Sequence, residues 1–268
     1  MRLLGFAVLV VLLAGLAACS PGTENGARSS DESPQPGNVH QATTDETERD
    51  TEGGVVADPP DDTDTWDYVA LGDSLAAGVG ARRGYVDLYA DYLREDTGAR
   101  IELNNLGISG QTSPQLLRAL RNDPSTRRAV RGAEVVTYNI GINDLGQARG
   151  FYEAGTCGGA QGERCLHVAV AELDENWDEI TEEILSLTSS DETIIRTVGL
   201  GYTPHVDRDI EPYLKQVNRN IASTADENNI PYAEVSLGYK GLGPDGLHPN
   251  ESGYEDIADG LRQLGVGN

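Results

Sequence analysis

Near the end of the chain, Asp245 precedes His248 by three residues in the stretch DGLHPN. A carboxylate so placed can hold one nitrogen of an imidazole and leave the other free to act as a base. Pro249 and Asn250 follow, a stiff residue and a good helix cap, which would fix where that histidine stands. A base needs something to deprotonate. Three more short stretches, GDS (Gly72–Ser74), GISG (Gly107–Gly110) and GIND (Gly141–Asp144), contribute hydroxyls, glycines and an amide. Together these are the residue types of acyl transfer: a nucleophile, a base, an orienting acid, and donors for an oxyanion. Ser74 is the first candidate nucleophile and Ser109 its rival; Ser74 could also serve only as a helix cap. Gly110 lacks a Cβ, so its backbone can approach a substrate closely, or it serves only the geometry of a turn. Asn143 can donate a side-chain N–H or close an Asx turn. Of four histidines, His40 lies in a polar stretch and His167 follows a cysteine pair. His205, with Asp207 two residues on, competes as base, as half of a metal site, or as a substrate contact. Asp73 and Asp144 adjoin the key residues but read as loop stabilisers. No carboxylate pair stands at glycosidase-like positions. No G-x-S-x-G elbow occurs.

These residues must be brought together by the elements between them. YVALG (68–72), IELNNLG (101–107), AEVVTYNIG (133–141), TIIRTVG (193–199) and PYAEVS (231–236) are short apolar runs of strand character. Between them run helical stripes. Tyr85, Leu88, Tyr89, Tyr92 and Leu93 form one; Leu173, Trp177, Ile180, Ile184 and Leu187 form another. Ile210, Tyr213, Leu214, Val217 and Ile221 form a third, and Tyr254, Ile257, Ala258 and Leu261 the last. Ser113 and Pro114 read as cap and first turn of a further helix. Alternating strands and helices imply a parallel sheet covered on both faces, with ligands at the carboxyl ends of its strands. Each candidate stretch follows a strand, so all of them fall at that edge.

GDS, GISG, GIND and DGLHP, in this order and at these loops, resemble the SGNH (GDSL-type) hydrolases, a superfamily of esterases, lipases and carbohydrate deacetylases. The resemblance covers about Trp66 to Leu264. It implies a flavodoxin-like three-layer α/β/α sandwich around a five-stranded parallel sheet. It places the family's nucleophile on Ser74, its oxyanion donors on Ser74, Gly110 and Asn143, and its acid and base on Asp245 and His248. It implies hydrolysis of carboxylic esters with no cofactor and no metal. A carbohydrate O-deacetylase would use the same machinery, and a binding protein could keep the fold without turnover.

The formal net charge is −24. Phosphate backbones would be repelled, which argues against nucleic acid as a partner. The chain opens MRLLGFAVLVVLLAGLAACS, one Arg before an apolar run ending in small residues. The run is short for a membrane span and fits an export signal over residues 1–18. Its ending LAAC resembles the lipobox of bacterial lipoproteins, in which the cysteine, here Cys19, is acylated. That implies an extracytoplasmic protein held at the bacterial membrane. Residues 19–64 are rich in Ser, Thr, Pro, Gly and acids and nearly free of large apolar side chains. Such a segment cannot offset its ordering entropy and reads as a disordered tether spanning roughly 40 Å. The hydrolase domain is then 65–268. Cys157 and Cys165 remain, and an exported protein favours a disulfide between them. A zinc site there would lack a fourth ligand beyond the two thiolates and His167.

Overall fold

The computed structural model describes residues 64–188, 192–201 and 210–267. The expected signal segment, Cys19, nearly all of the tether, His40, His205 and Asp207 lie outside the described residues. Strands β1 (Thr65–Leu71), β2 (Arg100–Asn105), β3 (Val135–Tyr138), β4 (Ile194–Val198) and β5 (Tyr232–Ala233) form one sheet in the order β2-β1-β3-β4-β5. Every pairing is parallel, with Val69 opposite Val136 and Val136 opposite Ile195. Along a strand successive side chains point to opposite faces. In β1, Val69 and Leu71 therefore join one core and Tyr68 and Ala70 the other.

Helices α1 (Tyr85–Thr97) and α7 (Glu251–Gln263) cover one face, with Tyr89, Leu93, Tyr254 and Ile257 packed beneath them. Helices α2 (Ser113–Asn122), α5 (Arg164–Leu187) and α6 (Glu211–Glu227) cover the other, through Leu116, Trp177, Ile180 and Leu214. This is the three-layer sandwich that the alternating pattern predicts. The stripe on α5 is buried at each of its five positions. Among the described residues no helix is long and apolar enough to cross a membrane.

Three local expectations change. PYAEVS yields only a two-residue strand, because an edge strand needs partners on one side alone and β4 pairs with just Tyr232 and Ala233. Thr112, not Ser113, caps α2; the Gln115 side chain accepts from the Thr112 N–H at 3.0 Å, and Ser113 is buried inside the first turn. GINDL is not a free loop. Gly141 turns the chain at φ 129°, and α4 (Ile142–Glu153) begins at once. A further helix, α3 (Pro124–Arg131), starts at Asp123, whose carboxylate accepts from Ser125 and Thr126 N–H.

Candidate active site

The loop after β1 leaves the sheet at Gly72, whose φ is 144°. A Cβ there would lie 2.4 Å from the Asn139 carbonyl oxygen, so only glycine lets the chain pass the end of β3. Two residues on, Ser74 stands at the sheet edge. Its loop is tied from both sides. Asn105 at the end of β2 donates to the Ala76 carbonyl at 2.8 Å, and Tyr254 of α7 donates to the Val79 carbonyl at 2.7 Å.

DGLHPN wraps around the start of α7. Asn250 caps that helix by accepting from the Gly253 N–H, and its amide donates to the carbonyls of Lys240 and Leu242. The Gly243 N–H donates to the His248 carbonyl at 2.8 Å. His248 thus hangs from a turn closed at both ends. Its Nδ1 lies 2.6 Å from Asp245 Oδ2, and its Nε2 lies 3.0 Å from Ser74 Oγ. The other oxygen of Asp245 accepts from the N–H groups of Leu247 and His248 at 3.0 Å each. The bond to His248, then that from Leu247, lowers the Asp245 carboxyl to about 2. It therefore stays an acceptor throughout the neutral range, although its side chain is half exposed.

Gly110 sits at φ 81°, and a Cβ there would meet nothing within 4 Å. Its glycine is therefore demanded by backbone conformation rather than by a close neighbour among the described residues. Among the described residues, neither the Ser74 N–H nor the Gly110 N–H is taken by a backbone acceptor. Asn143, in the first turn of α4, spends one amide hydrogen on the Gln111 carbonyl at 2.8 Å. Among the described residues its second amide hydrogen has no acceptor. The turn is fixed by its neighbour. Asp144 accepts from the Ser113 hydroxyl at 2.7 Å and from the Ser113 N–H, and Asn176 donates to the same hydroxyl at 2.9 Å. Asp144 is thus a clamp between α2, α4 and α5, the stabilising role its position predicts.

Ser74, Ser109, Gly110, Asn143, Asp245 and His248 share the wall of one cleft of about 820 Å³. Ser109 lines it without a hydrogen bond to a described histidine. His167 is elsewhere, 3.3 Å from the Tyr213 hydroxyl. The sulfur atoms of Cys157 and Cys165 lie at disulfide distance. Among the described residues no group of three or more His, Cys, Asp or Glu is arranged to hold a metal ion.

The family model of the GDSL-like lipase/acylhydrolase family matches residues 70–255. The chain belongs to this family. Its curated relatives include the spore germination lipase LipC of Bacillus licheniformis, 28% identical over 76% of this chain and 98% of that protein. Among solved structures, the lipase Lip_vut3 from a goat rumen metagenome is 27% identical. It aligns at a TM-score of 0.68 over 76% of this chain and 99% of its own. The acetylxylan esterase Axe2 of Geobacillus stearothermophilus shares the fold at 19% identity and a TM-score of 0.59, over 77% and 96% of the two chains. A GDSL-family ester hydrolase accounts for the grouping of hydroxyl, imidazole and carboxylate at one sheet edge.

One part of the site was not foreseen in full. Asp73 is completely buried beside Ser74, as loop-stabilising geometry requires. Its Oδ1 accepts from the Leu75 N–H at 3.0 Å and from the Asn139 amide at 3.1 Å, and Tyr85 donates to Asn139 in turn. Its Oδ2 finds no partner among the described residues. Burial raises this carboxyl from 3.8 to about 6, against the pull of those two donors. Between these values the folded protein holds a proton that the unfolded chain releases. Stability must then fall as pH rises from about 4 through about 6. At roughly 1.4 kcal/mol per pH unit the loss is about 3 kcal/mol. Urea unfolding at pH 4 and pH 7 is expected to show wild type losing about 2 kcal/mol of this relative to Asp73→Asn, the rest being lost already by pH 4. A difference independent of pH would mean that the buried charge costs nothing.

Proposed function

We propose that the chain is a serine hydrolase of carboxylic esters, of esterase or lipase type, with Ser74 as nucleophile. The observation that carries this reading is the unbroken line Asp245–His248–Ser74, with Nε2 of His248 facing the Ser74 hydroxyl. Nδ1, held by the carboxylate, keeps its proton, so Nε2 is the basic nitrogen. His248 takes the proton of Ser74 as Oγ attacks the acyl carbon. The negative charge that develops on the carbonyl oxygen is received by the N–H groups of Ser74 and Gly110 and by the free amide hydrogen of Asn143. His248 then gives its proton to the leaving alcohol. Water, deprotonated by the same imidazole, releases the acid and restores Ser74. Only the neutral imidazole can accept the serine proton.

A non-catalytic binding role is disfavoured by the completeness of this contact set. An O-deacetylase of acylated carbohydrate would use the same residues. Steady-state hydrolysis of p-nitrophenyl esters beside release of acetate from acetylated xylo-oligosaccharides tests the reading. Turnover of neither by folded protein would overturn it.

The N-terminal sequence supports two further proposals. Cys19 carries a lipid anchor, so Cys19→Ser expressed in a bacterium should move from the membrane to the aqueous phase. Wild-type protein without lipid mass at Cys19 would refute this. Cys157 and Cys165 form a disulfide in the exported protein, supported by their proximity and worth about 2–3 kcal/mol at most for so short a loop. Non-reducing peptide mapping should recover the two linked; free thiols at both would contradict it.

A further inference from the structure

Helix α4 carries a feature that packing does not explain. Gly146 and Gly150 lie in its interior, where glycine destabilises a helix relative to alanine. Among the described residues, a Cβ at either position would meet nothing within 4 Å, so neither glycine makes room for a described neighbour. Both line the cleft that holds Ser74 and His248. With Ile142 they form one row at four-residue spacing along the cleft floor. Leu145, Ile210 and Leu214 supply apolar walls beside that row. At the far end the wall turns polar, where Arg149 donates to Glu153 at 2.7 Å.

Resting on the reading of Ser74 as nucleophile, we infer that this trough along α4 receives the acyl chain of the substrate and that the enzyme favours medium over short acyl chains. The directions around the reacting carbon decide the occupant. The oxyanion faces Gly110 and Asn143. The leaving oxygen must lie at His248 Nε2, from which it takes its proton. The acyl substituent is left to point away from His248, and the larger space lined by Ser74 is the cleft that Asn143, Gly146 and Gly150 also line. Hydrocarbon suits apolar walls, whereas a sugar alcohol would leave its hydroxyls unpaired there. From Asn143 to Gly150 the helix rises roughly 10 Å at about 1.5 Å per residue, the reach of an acyl chain of about eight carbons. A second hollow of only about 40 Å³ adjoins Ser74 behind His248, lined by Leu75, Leu200 and Leu237. Were the acyl group bound there instead, it would be limited to a few carbons.

The test is kcat/KM for p-nitrophenyl acetate, butyrate and octanoate, with wild type, Gly150→Ala and Gly150→Leu. For wild type, octanoate should exceed acetate. Each methylene withdrawn from water is worth up to about fourfold. A leucine at 150 fills the trough, so the octanoate-to-acetate ratio should drop on the order of 10- to 100-fold, with Gly150→Ala between. Melting temperature should not fall in Gly150→Ala, because the helix gains a better former. A wild-type preference for acetate over octanoate would overturn the inference and point to the small hollow. So would an unchanged ratio in folded Gly150→Leu, or in Gly150→Ala if the leucine variant does not fold. In each of those cases Ser74 still turns over esters and the proposed function stands. Failure to hydrolyse any of the three would overturn both.

Discussion

Replacing His248 by alanine is expected to lower kcat/KM for a soluble ester by on the order of 10⁴-fold or more, with the chain still folded. The loss is large because the proposed mechanism uses the imidazole twice, once to take the serine proton and once to activate water. The fold should survive because the turn around His248 is held by main-chain and neighbouring groups. The Gly243 N–H bonds the residue-248 carbonyl, and Asn250 caps α7 and grips two further carbonyls. None of these uses the imidazole. Circular dichroism would check folding and steady-state kinetics the rate. His205, outside the described residues, is expected to affect substrate preference instead. If His205→Ala were inactive and His248→Ala active, the two roles would be reversed.

Asn143→Ala should behave differently from either. Its amide already bonds the Gln111 carbonyl, so part of its role is to hold the second loop. In the proposed mechanism the remaining amide hydrogen faces charge that exists only in the transition state. Its removal should therefore lower kcat by a factor on the order of 10² to 10³ and leave KM nearly unchanged. The first turn of α4 stays anchored by Asp144 through Ser113, so the scaffold persists. A change confined to KM would make Asn143 a binding residue, and a near wild-type kcat would remove it from the site.

The sheet and its covering helices could be read from the sequence because their apolar positions repeat with the period of each element. Tyr254, Ile257, Ala258 and Leu261 are buried as that period demands. The grouping of Ser74 and Gly110 could be read because they follow β1 and β2 by three and five residues, and parallel strands end at one edge, whereas Asp245 and His248 lie 12 and 15 residues beyond β5. What could not be read depends on contacts between distant residues. α4 has weak amphipathic patterning because one side faces the cleft rather than a core, so GINDL passed for a loop. The clamp of Asp144 on Ser113 joins residues 31 apart. The Asp73–Asn139–Tyr85 chain links two strand ends to α1, and no local pattern announces it. Arg196 stands in a fully buried strand, an apparent breach of apolar patterning. Its Nη1 donates to the Ile195 carbonyl and its Nη2 to the carbonyls of Gly265 and Gly267, about seventy residues away, while Nε has no partner among the described residues.

The claim on which the account turns is that Ser74 is the nucleophile. A fluorophosphonate reacts with an activated serine hydroxyl and remains attached, so it reports nucleophilicity without knowledge of the natural substrate. Peptide mass mapping of labelled wild-type protein should find the adduct at Ser74 in about one equivalent, with Ser74→Ala unlabelled and inactive. An adduct at Ser109, or a Ser74→Ala protein that still labels and turns over ester, would contradict it.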